Sequence, residues 1–379
     1  MKRTQVTRQD NNTEQATLYI AFELADKEWK LGFSDGSRER LRKIDADEKE
    51  EIWEEIEKSI EHFGLGDDVR LVSCYEAGRD GFWLHRYLES LGVENFVVDP
   101  SSIEVNRRKR RAKTDRLDAK KLLRLLMRYC WGEKQAWRVV RVPGVEEEDE
   151  RHLHRELESL KKERTTHRNR IRSFLKLHGI RIDNPGRTDF VRYLDSVRLW
   201  DGSELGCGLK ARLGREYARM VFLQMQIKAI EKERVRLVRL EETASMRRVG
   251  QMMALRGIGI ESSWLLEKEF FGWRRFRNRK EVGALSGLSP TPYSSGKSER
   301  EQGISKDGNR RVRVMMIEIG WSWLRNQPES KLTKWFNERY AEGGKRMRRI
   351  GIVALARKLL IDIWRFVEHG VVPEGAIVV

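Results

Sequence analysis

Residues 105–128, VNRRKRRAKTDRLDAKKLLRLLMR, pass from a run of cations into an amphipathic helix, and that helix has to dock on a core. Leu117, Leu122, Leu123, Leu125, Leu126 and Met127 give it a broad apolar surface that only a packed layer can cover. Asp115 and Asp118 lie three residues apart, close to one helical turn, so both carboxylates project from one face. The cations before them, Arg107, Arg108, Lys109, Arg110, Arg111 and Lys113, would hold phosphate, and the aspartates would hold Mg²⁺. The plainer reading is a solvated helix whose charges pair at i, i+3. This segment alone leaves both open.

The residues before it supply something to dock on. Leu18, Ile20 and Phe22 alternate, as do Trp29, Leu31 and Phe33, and Asp35-Gly36 marks a turn, which reads as a hairpin. A short third strand is expected over Arg40–Ile44. Residues 47–63 have helical spacing through Ile52, Trp53, Ile56 and Ile60. RLVSCY (70–75) reads as a buried strand with Glu76 at its end, residues 80–91 as a helix, and NFVVD (95–99) as one more strand. The order is that of an α/β mixed sheet. Glu23 then lies on the first strand, Glu76 at the end of the central strand, and Asp115 and Asp118 on the following helix, and strand ends are where such sheets gather ligands. Acids crowded together repel unless cations lie between them, so this order suits a two-metal phosphoryl-transfer site.

Composition narrows the partner. The 379-residue chain carries a net charge of +17, an excess that favours a polyanion, most often nucleic acid. No window approaches the roughly 18 uninterrupted apolar residues of a membrane span. Residues 1–15 read as a polar, disordered tail without the apolar region of a signal peptide. Cys74, Cys130 and Cys207 lie far apart and read as reduced core thiols of a cytoplasmic protein. The histidines show no ligand spacing, and His152 and His154 face different ways on a predicted helix.

The segments YIAFELADKEWKLGF, CYEAGRDGFWLHRYL and RRAKTDRLDAKKLLRLL resemble the N-terminal, ribonuclease-H-like (RuvC-type) domain of the DEDD transposases of insertion sequences, the bridge-RNA-guided recombinases. The resemblance implies that Glu76, Asp115 and Asp118 match the family's second, third and fourth acids. It departs at the first, where the family usually has Asp and this chain has Glu23, whose extra methylene moves the carboxylate outward.

Residues 145–178 are helical, with Leu153, Leu157, Leu160, Ile171 and Phe174 on a 4-3 spacing interrupted by Arg164 and His167. A second helix over residues 210–242 carries Leu213, Met220, Leu223, Ile227, Ile230 and Leu237 on the same heptad. The pair reads as an antiparallel coiled-coil arm, either a plain spacer or a dimerisation element. The second option rests on apolar positions in excess of what one hairpin partner must bury. Residues 252–270 have the shape of a helix-hairpin-helix about the Gly257-Ile258-Gly259 turn, whose N–H groups can meet a phosphate. Residues 343–370 form a closing helix with a core-facing stripe of Ile352, Ala356, Leu359, Leu360, Ile363 and Phe366.

Between these last two elements, Ser294, Ser295 and Gly296 stand in a Gly- and Pro-punctuated loop, followed by Lys297, Arg300, Lys306, Arg310, Arg311 and Arg313. A serine can attack phosphorus if nearby cations or metal stabilise the charge that develops, although spacing alone fits an ordinary linker. LSGLSPTPYSSGKSEREQGISKDGNRRVR is similar to the same family's C-terminal domain, including its SG motif and ISK-GN-R signature. The resemblance implies that the nucleophile is Ser295, with Ser294 as the fallback.

The expected organisation is a tail (1–15), a RuvC-like nuclease domain (16–144), a coiled-coil region (145–245) and a mainly helical transposase domain with the serine (246–370). The expected activity is DNA recombination through a phosphoserine–DNA intermediate with Mg²⁺ at the acids. The resemblance adds a bridge RNA, donor and target DNA, a dimer assembling to a tetramer, and a bacterial, nucleoid-associated setting. The alternatives are a metal-dependent junction nuclease acting by water and a non-enzymatic nucleic-acid-binding derivative.

Overall fold

The computed structural model describes residues 15–79, 81–103, 115–295, 298–306 and 308–379, with backbone alone at 115–117, 292–295 and 298–302. The basic residues Arg107, Arg108, Lys109, Arg110, Arg111 and Lys113, together with Lys297, lie outside the described residues. The chain divides into two compact units, Met1–Val142 and Pro143–Val379.

In the first unit β1 (Thr17–Glu23), β2 (Glu28–Ser34) and β3 (Glu39–Asp45) form an antiparallel meander. After α1 (Lys49–Phe63), β4 (Arg70–Glu76) pairs with β1 in parallel. After α2 (Trp83–Ser90), β5 (Glu94–Val98) pairs with β4, also in parallel, giving the order β3-β2-β1-β4-β5. The alternation of side chains sorts this mixed sheet into two faces. Leu18, Ile20 and Phe22 pack with Ile52, Ile56, Leu84 and Leu88 of α1 and α2. Tyr19, Ala21, Val72 and Cys74 face the other way, onto Leu122, Leu123 and Leu126 of α3 (Asp115–Cys130). The apolar surface that opens the sequence argument is therefore buried against the sheet, each large side chain contributing about 1.5–3 kcal/mol.

The second unit begins with α4 (Val145–Asp149) and α5 (His152–Leu177), followed by α6 (Phe190–Ser196) and α7 (Cys207–Leu240). Leu157 packs with Ile227 and Ile230, while Ile171 and Leu175 pack with Leu213 and Met220, so α5 and α7 run antiparallel. Where the heptad is interrupted, Arg164 donates to Gln224 at 2.5 Å and His167 bonds Glu216 at 2.6 Å, a polar layer within an apolar seam. The heptad residues of α7 are thus covered by α5 of the same chain. This corrects the expectation of a surplus on that seam: the large apolar residues of α7 that stay exposed, Val221, Phe222, Met225, Val235 and Leu240, are not among those heptad positions.

Next come α8 (Ala244–Met253), α9 (Ile260–Leu266), a π turn (Glu267–Phe271), α10 (Arg279–Leu285), the hairpin β6 (Pro290–Ser295)–β7 (Ser298–Ile304), α11 (Arg310–Asn326), α12 (Lys331–Tyr340) and α13 (Lys345–His369). The predicted stripe of α13, Ile352 to Phe366, lies in the main core with Met316, Ile319 and Trp323 of α11. The glycine turn between α8 and α9 is engaged within the fold, since Ser322 donates to the Gly257 carbonyl and the Arg256 N–H bonds Ile377. All three cysteines are free; Cys74 is buried and Cys130 half-buried, but Cys207, contrary to expectation, is exposed at the head of α7. Among the described residues no helix is long and apolar enough to cross a membrane.

Candidate active site

Glu23 and Glu76 close β1 and β4, one residue beyond the register pair Phe22↔Tyr75 of two parallel strands. The two acids therefore end neighbouring strands side by side. Each lies two residues past a side chain covered by α3, Ala21 and Cys74, so both share the α3 face of the sheet.

The course of α3 brings the other two acids toward that edge. At its C-terminal end Trp131 donates to the Tyr19 hydroxyl at 3.2 Å, near the start of β1. In its middle the Leu122 carbonyl lies 3.9 Å from the Cys74 thiol. The helix thus runs opposite to β1 and β4, and its first turn, with Asp115 and Asp118, points to the end where Glu23 and Glu76 stand. Gly32 fixes how close it comes: a Cβ there would lie 3.4 Å from Leu123 and 3.5 Å from the Ala119 carbonyl. Gly32, Ala21 and Cys74 are register neighbours across β2, β1 and β4, a row of small residues that seats the helix.

The donors at this edge are carboxylate oxygens, the chemistry a hard divalent cation takes. Among the described residues no three of His, Cys, Asp or Glu stand together as a metal-holding group. Glu23, Glu76 and Asp118 outline an acidic edge without closing it, and the Asp115 side chain lies outside the described residues.

In the second unit Ser294 and Ser295 lie at the end of β6, where Ser294 pairs with Glu299 and Ser295 with Ser298. They belong to a hairpin and not to the expected loop; the Thr-Pro-Tyr-Ser-Ser run has the β-branched and aromatic content that fits a strand. The return from β7 is held tightly, for Ser305 N–H bonds the Ser289 carbonyl at 2.9 Å and Asn309 N–H the Leu285 carbonyl at 3.3 Å. Gly308 sits at φ 81°, and a Cβ would lie on the Leu285 carbonyl at 2.1 Å, so only glycine fits. Asn309 caps α11 by accepting from Arg311 and Val312 N–H. Of the cations named from sequence, Arg311 pairs with Glu158 at 2.6 Å and Arg313 donates to the Lys306 carbonyl at 3.0 Å, while Lys306 and Arg310 are exposed. The Arg300 side chain lies outside the described residues.

Sequence reasoning missed Glu269, in the π turn. It is 2% exposed, bonded by Arg155 at 3.0 Å and by Asn309 at 3.1 Å. Burial by itself raises this carboxyl, but the bond and charge of Arg155, the bond of Asn309 and the nearby His154 outweigh it and hold the group below its usual range. Glu267 and Lys268 beside it are equally buried and paired, with Arg248 and Glu150. A sequence shows EKE only as a charge run; that it is interior follows from the π turn.

With this geometry in place, comparison with known families adds the following. Residues 25–180 match a family model described as transposase, of the DEDD kind of IS110 elements, and residues 250–334 match one described as Transposase IS116/IS110/IS902 family. The first match includes Glu76, Asp115 and Asp118 and begins just after Glu23. The chain is similar to y4rJ of Sinorhizobium fredii, which bears the name of a transposase, at 38% identity over 95% of this chain and 94% of that one. It is also similar to the transposase for insertion sequence element IS1111A of Coxiella burnetii, at 24% identity over 78% of this chain and 77% of the relative. A third relative is the transposase for element IS1328 of Yersinia enterocolitica, at 26% identity over 58% of this chain and 63% of the relative.

Proposed function

The chain belongs to the IS116/IS110/IS902 family of insertion-sequence transposases, and on that premise we propose that it cuts and exchanges DNA strands through Ser295, with Glu23, Glu76, Asp115 and Asp118 holding Mg²⁺. Membership implies a DNA-cutting enzyme with a ribonuclease-H-like first unit and divalent-metal chemistry. The observation that carries the finer reading is the edge where Glu23 and Glu76 end adjacent parallel strands, with the first turn of α3 directed at them.

In this reading the Ser295 oxygen attacks a DNA phosphorus, its proton passes to solvent or a neighbouring base, and one ester oxygen of the DNA leaves as a hydroxyl. A hydroxyl of the exchanging strand then attacks the phosphoserine ester, re-forming a phosphodiester and returning serine. Mg²⁺, when bound, would stabilise the charge on the transferring phosphoryl group. The carboxylates orient it, and Lys306 and Arg310, both exposed, can meet the DNA backbone. The exposed Val221, Phe222 and Met225 on α7 support a homo-oligomer, dimer or tetramer, and the net charge of +17 supports a nucleic-acid guide such as a bridge RNA beside donor and target DNA.

The test is a search for a covalent protein–DNA adduct with element-end DNA, flanking transcript and Mg²⁺. An adduct kept by Ser294→Ala and lost with Ser295→Ala supports the reading. Cleavage without any adduct, still dependent on Asp118, would point to a nuclease acting by water.

A further inference from the structure

We propose that the groove between α10 and α13 is a track for the phosphate backbone of duplex DNA, leading to the root of the serine hairpin. The proposal rests on the reading of the chain as a DNA transposase. The groove, of about 430 Å³, is lined by Arg279, Lys280, Arg357, Lys358 and Arg365, with Asp362 as the one acid among its lining residues. Asp362 pairs with Arg365 at 3.5 Å, and Lys358 lies 4.7 Å over the Trp335 ring. Arg279, Lys280 and Arg357 have no carboxylate within ion-pair distance among the described residues.

A second groove on this unit makes the contrast. It is of similar size, about 470 Å³, but Glu158, Glu261 and Glu318 line it beside Lys161, Arg310 and Arg311, with Arg311 paired to Glu158 at 2.6 Å and Lys161 to Glu261 at 3.0 Å. Five cations gathered with a single acid among them repel one another and concentrate anions, so the complement of the α10–α13 groove is a polyanion. Gly283 keeps the wall open: a Cβ there would already touch the Ser289 hydroxyl at 3.4 Å and Arg357 at 3.6 Å, and any longer side chain would enter the groove.

Position links the groove to chemistry. Ser289 lines it and directly precedes Pro290, the first residue of β6, and β6 ends at Ser295. At about 3.3 Å per residue, Ser295 stands roughly 20 Å along the strand from the groove. A duplex held there is within the hairpin's own length of the serine. We commit to DNA because it is the substrate that family membership carries.

The experiment measures binding of a short duplex DNA of arbitrary sequence by the full chain across a series of KCl concentrations. Wild type is compared with Arg279→Ala/Lys280→Ala/Arg357→Ala, and with Arg279→Lys/Arg357→Lys, which keeps the charge. The alanine variant should lose about 0.9 from the log–log salt slope for each phosphate contact removed, and the lysine variant should keep the wild-type slope. Asp362→Asn, which frees Arg365, should bind more tightly, a gain that unfolding cannot produce. Equal slopes for wild type and the alanine variant, with no gain in Asp362→Asn, would overturn the track while leaving the transposase reading intact. A loss confined to duplex RNA of the same length would overturn the assignment to DNA. Absence of duplex binding by wild type even at the lowest KCl would overturn the track, while the covalent-adduct assay still decides the transposase reading.

Discussion

Asn309 donates to the buried Glu269 carboxylate at 3.1 Å while its own side-chain oxygen caps α11, so one residue ties the π turn to the segment returning from the serine hairpin. Glu269→Ala would leave Arg155 without its carboxylate and Asn309 with only the longer bond to the Glu269 carbonyl at 3.4 Å; because Arg155 is 42% exposed and water can replace its partner, the loss should be about 1–3 kcal/mol. Asn309→Ala would cost about 1 kcal/mol through the cap, plus its bond to Glu269. Because both changes break the same contact, the double variant should lose less in urea unfolding than the two singles added together. Strict additivity would mean the contact carries no coupling.

The Glu269 carboxyl also sets a pH response. Burial pushes it up, but Arg155, Asn309 and His154 pull it below its usual range, so the folded state binds its proton less readily than the unfolded chain. Its stabilising contribution is therefore complete above the unfolded value, about 4.3, and is lost as pH falls through the lower folded value. Wild type should lose more stability than Glu269→Gln on going from pH 6 to the acid side of that window. Parallel pH profiles for the two proteins would remove this assignment.

Gly32 predicts how the acidic edge responds to crowding. A Cβ at this position meets Leu123 and the Ala119 carbonyl at ordinary contact distance, so Gly32→Ala should fold normally. Gly32→Leu would drive its longer side chain into α3 one residue from Asp118, an overpacking worth about 1–3 kcal/mol. The expected outcome is a fall in metal-dependent cleavage larger than the loss of stability predicts, because the lifted helix carries its aspartates away from Glu23 and Glu76. If cleavage tracks melting temperature alone across the two variants, the helix seat has no special bearing on the site.

The regular elements are legible where side chains repeat at the period of the element that carries them. Leu18, Ile20 and Phe22 alternate and become one face of β1, and the stripe of α13 from Ile352 to Phe366 lands in the core as spaced. Glu76 was legible as the end of its strand and Glu23 as a residue of the first; that the two end neighbouring strands side by side depends on the parallel register, which local spacing does not carry. The α7 heptad was legible as a seam, but a spacing of apolar residues does not say which partner covers it, and α5 of the same chain does. Around Ser295 the sequence reads as a loop because glycine and proline nearby mask the strand signal of Thr291 and Tyr293. The buried Glu269 and the cations that α10 and α13 bring to one groove depend on contacts between residues far apart in the chain, for which local spacing carries no signal.

Glu23 offers the sharpest test of the acidic edge. Glu23 stands beside Glu76 at the ends of neighbouring strands, so its longer side chain reaches further out than an aspartate at the same register. If it is a metal ligand, Glu23→Gln should keep DNA binding and lower cleavage by at least tenfold, since an amide replaces one anionic oxygen donor of a hard cation by a neutral one. Glu23→Asp should retain cleavage but need a different Mg²⁺ concentration for half-maximal rate, because the carboxylate is drawn back by one methylene. Asp118→Asn and chelation by EDTA should abolish cleavage while leaving the DNA-bound complex intact. Cleavage by Glu23→Gln at the wild-type rate and wild-type Mg²⁺ dependence would show that β1 contributes no ligand, and that any metal is held by Glu76 and the two aspartates of α3.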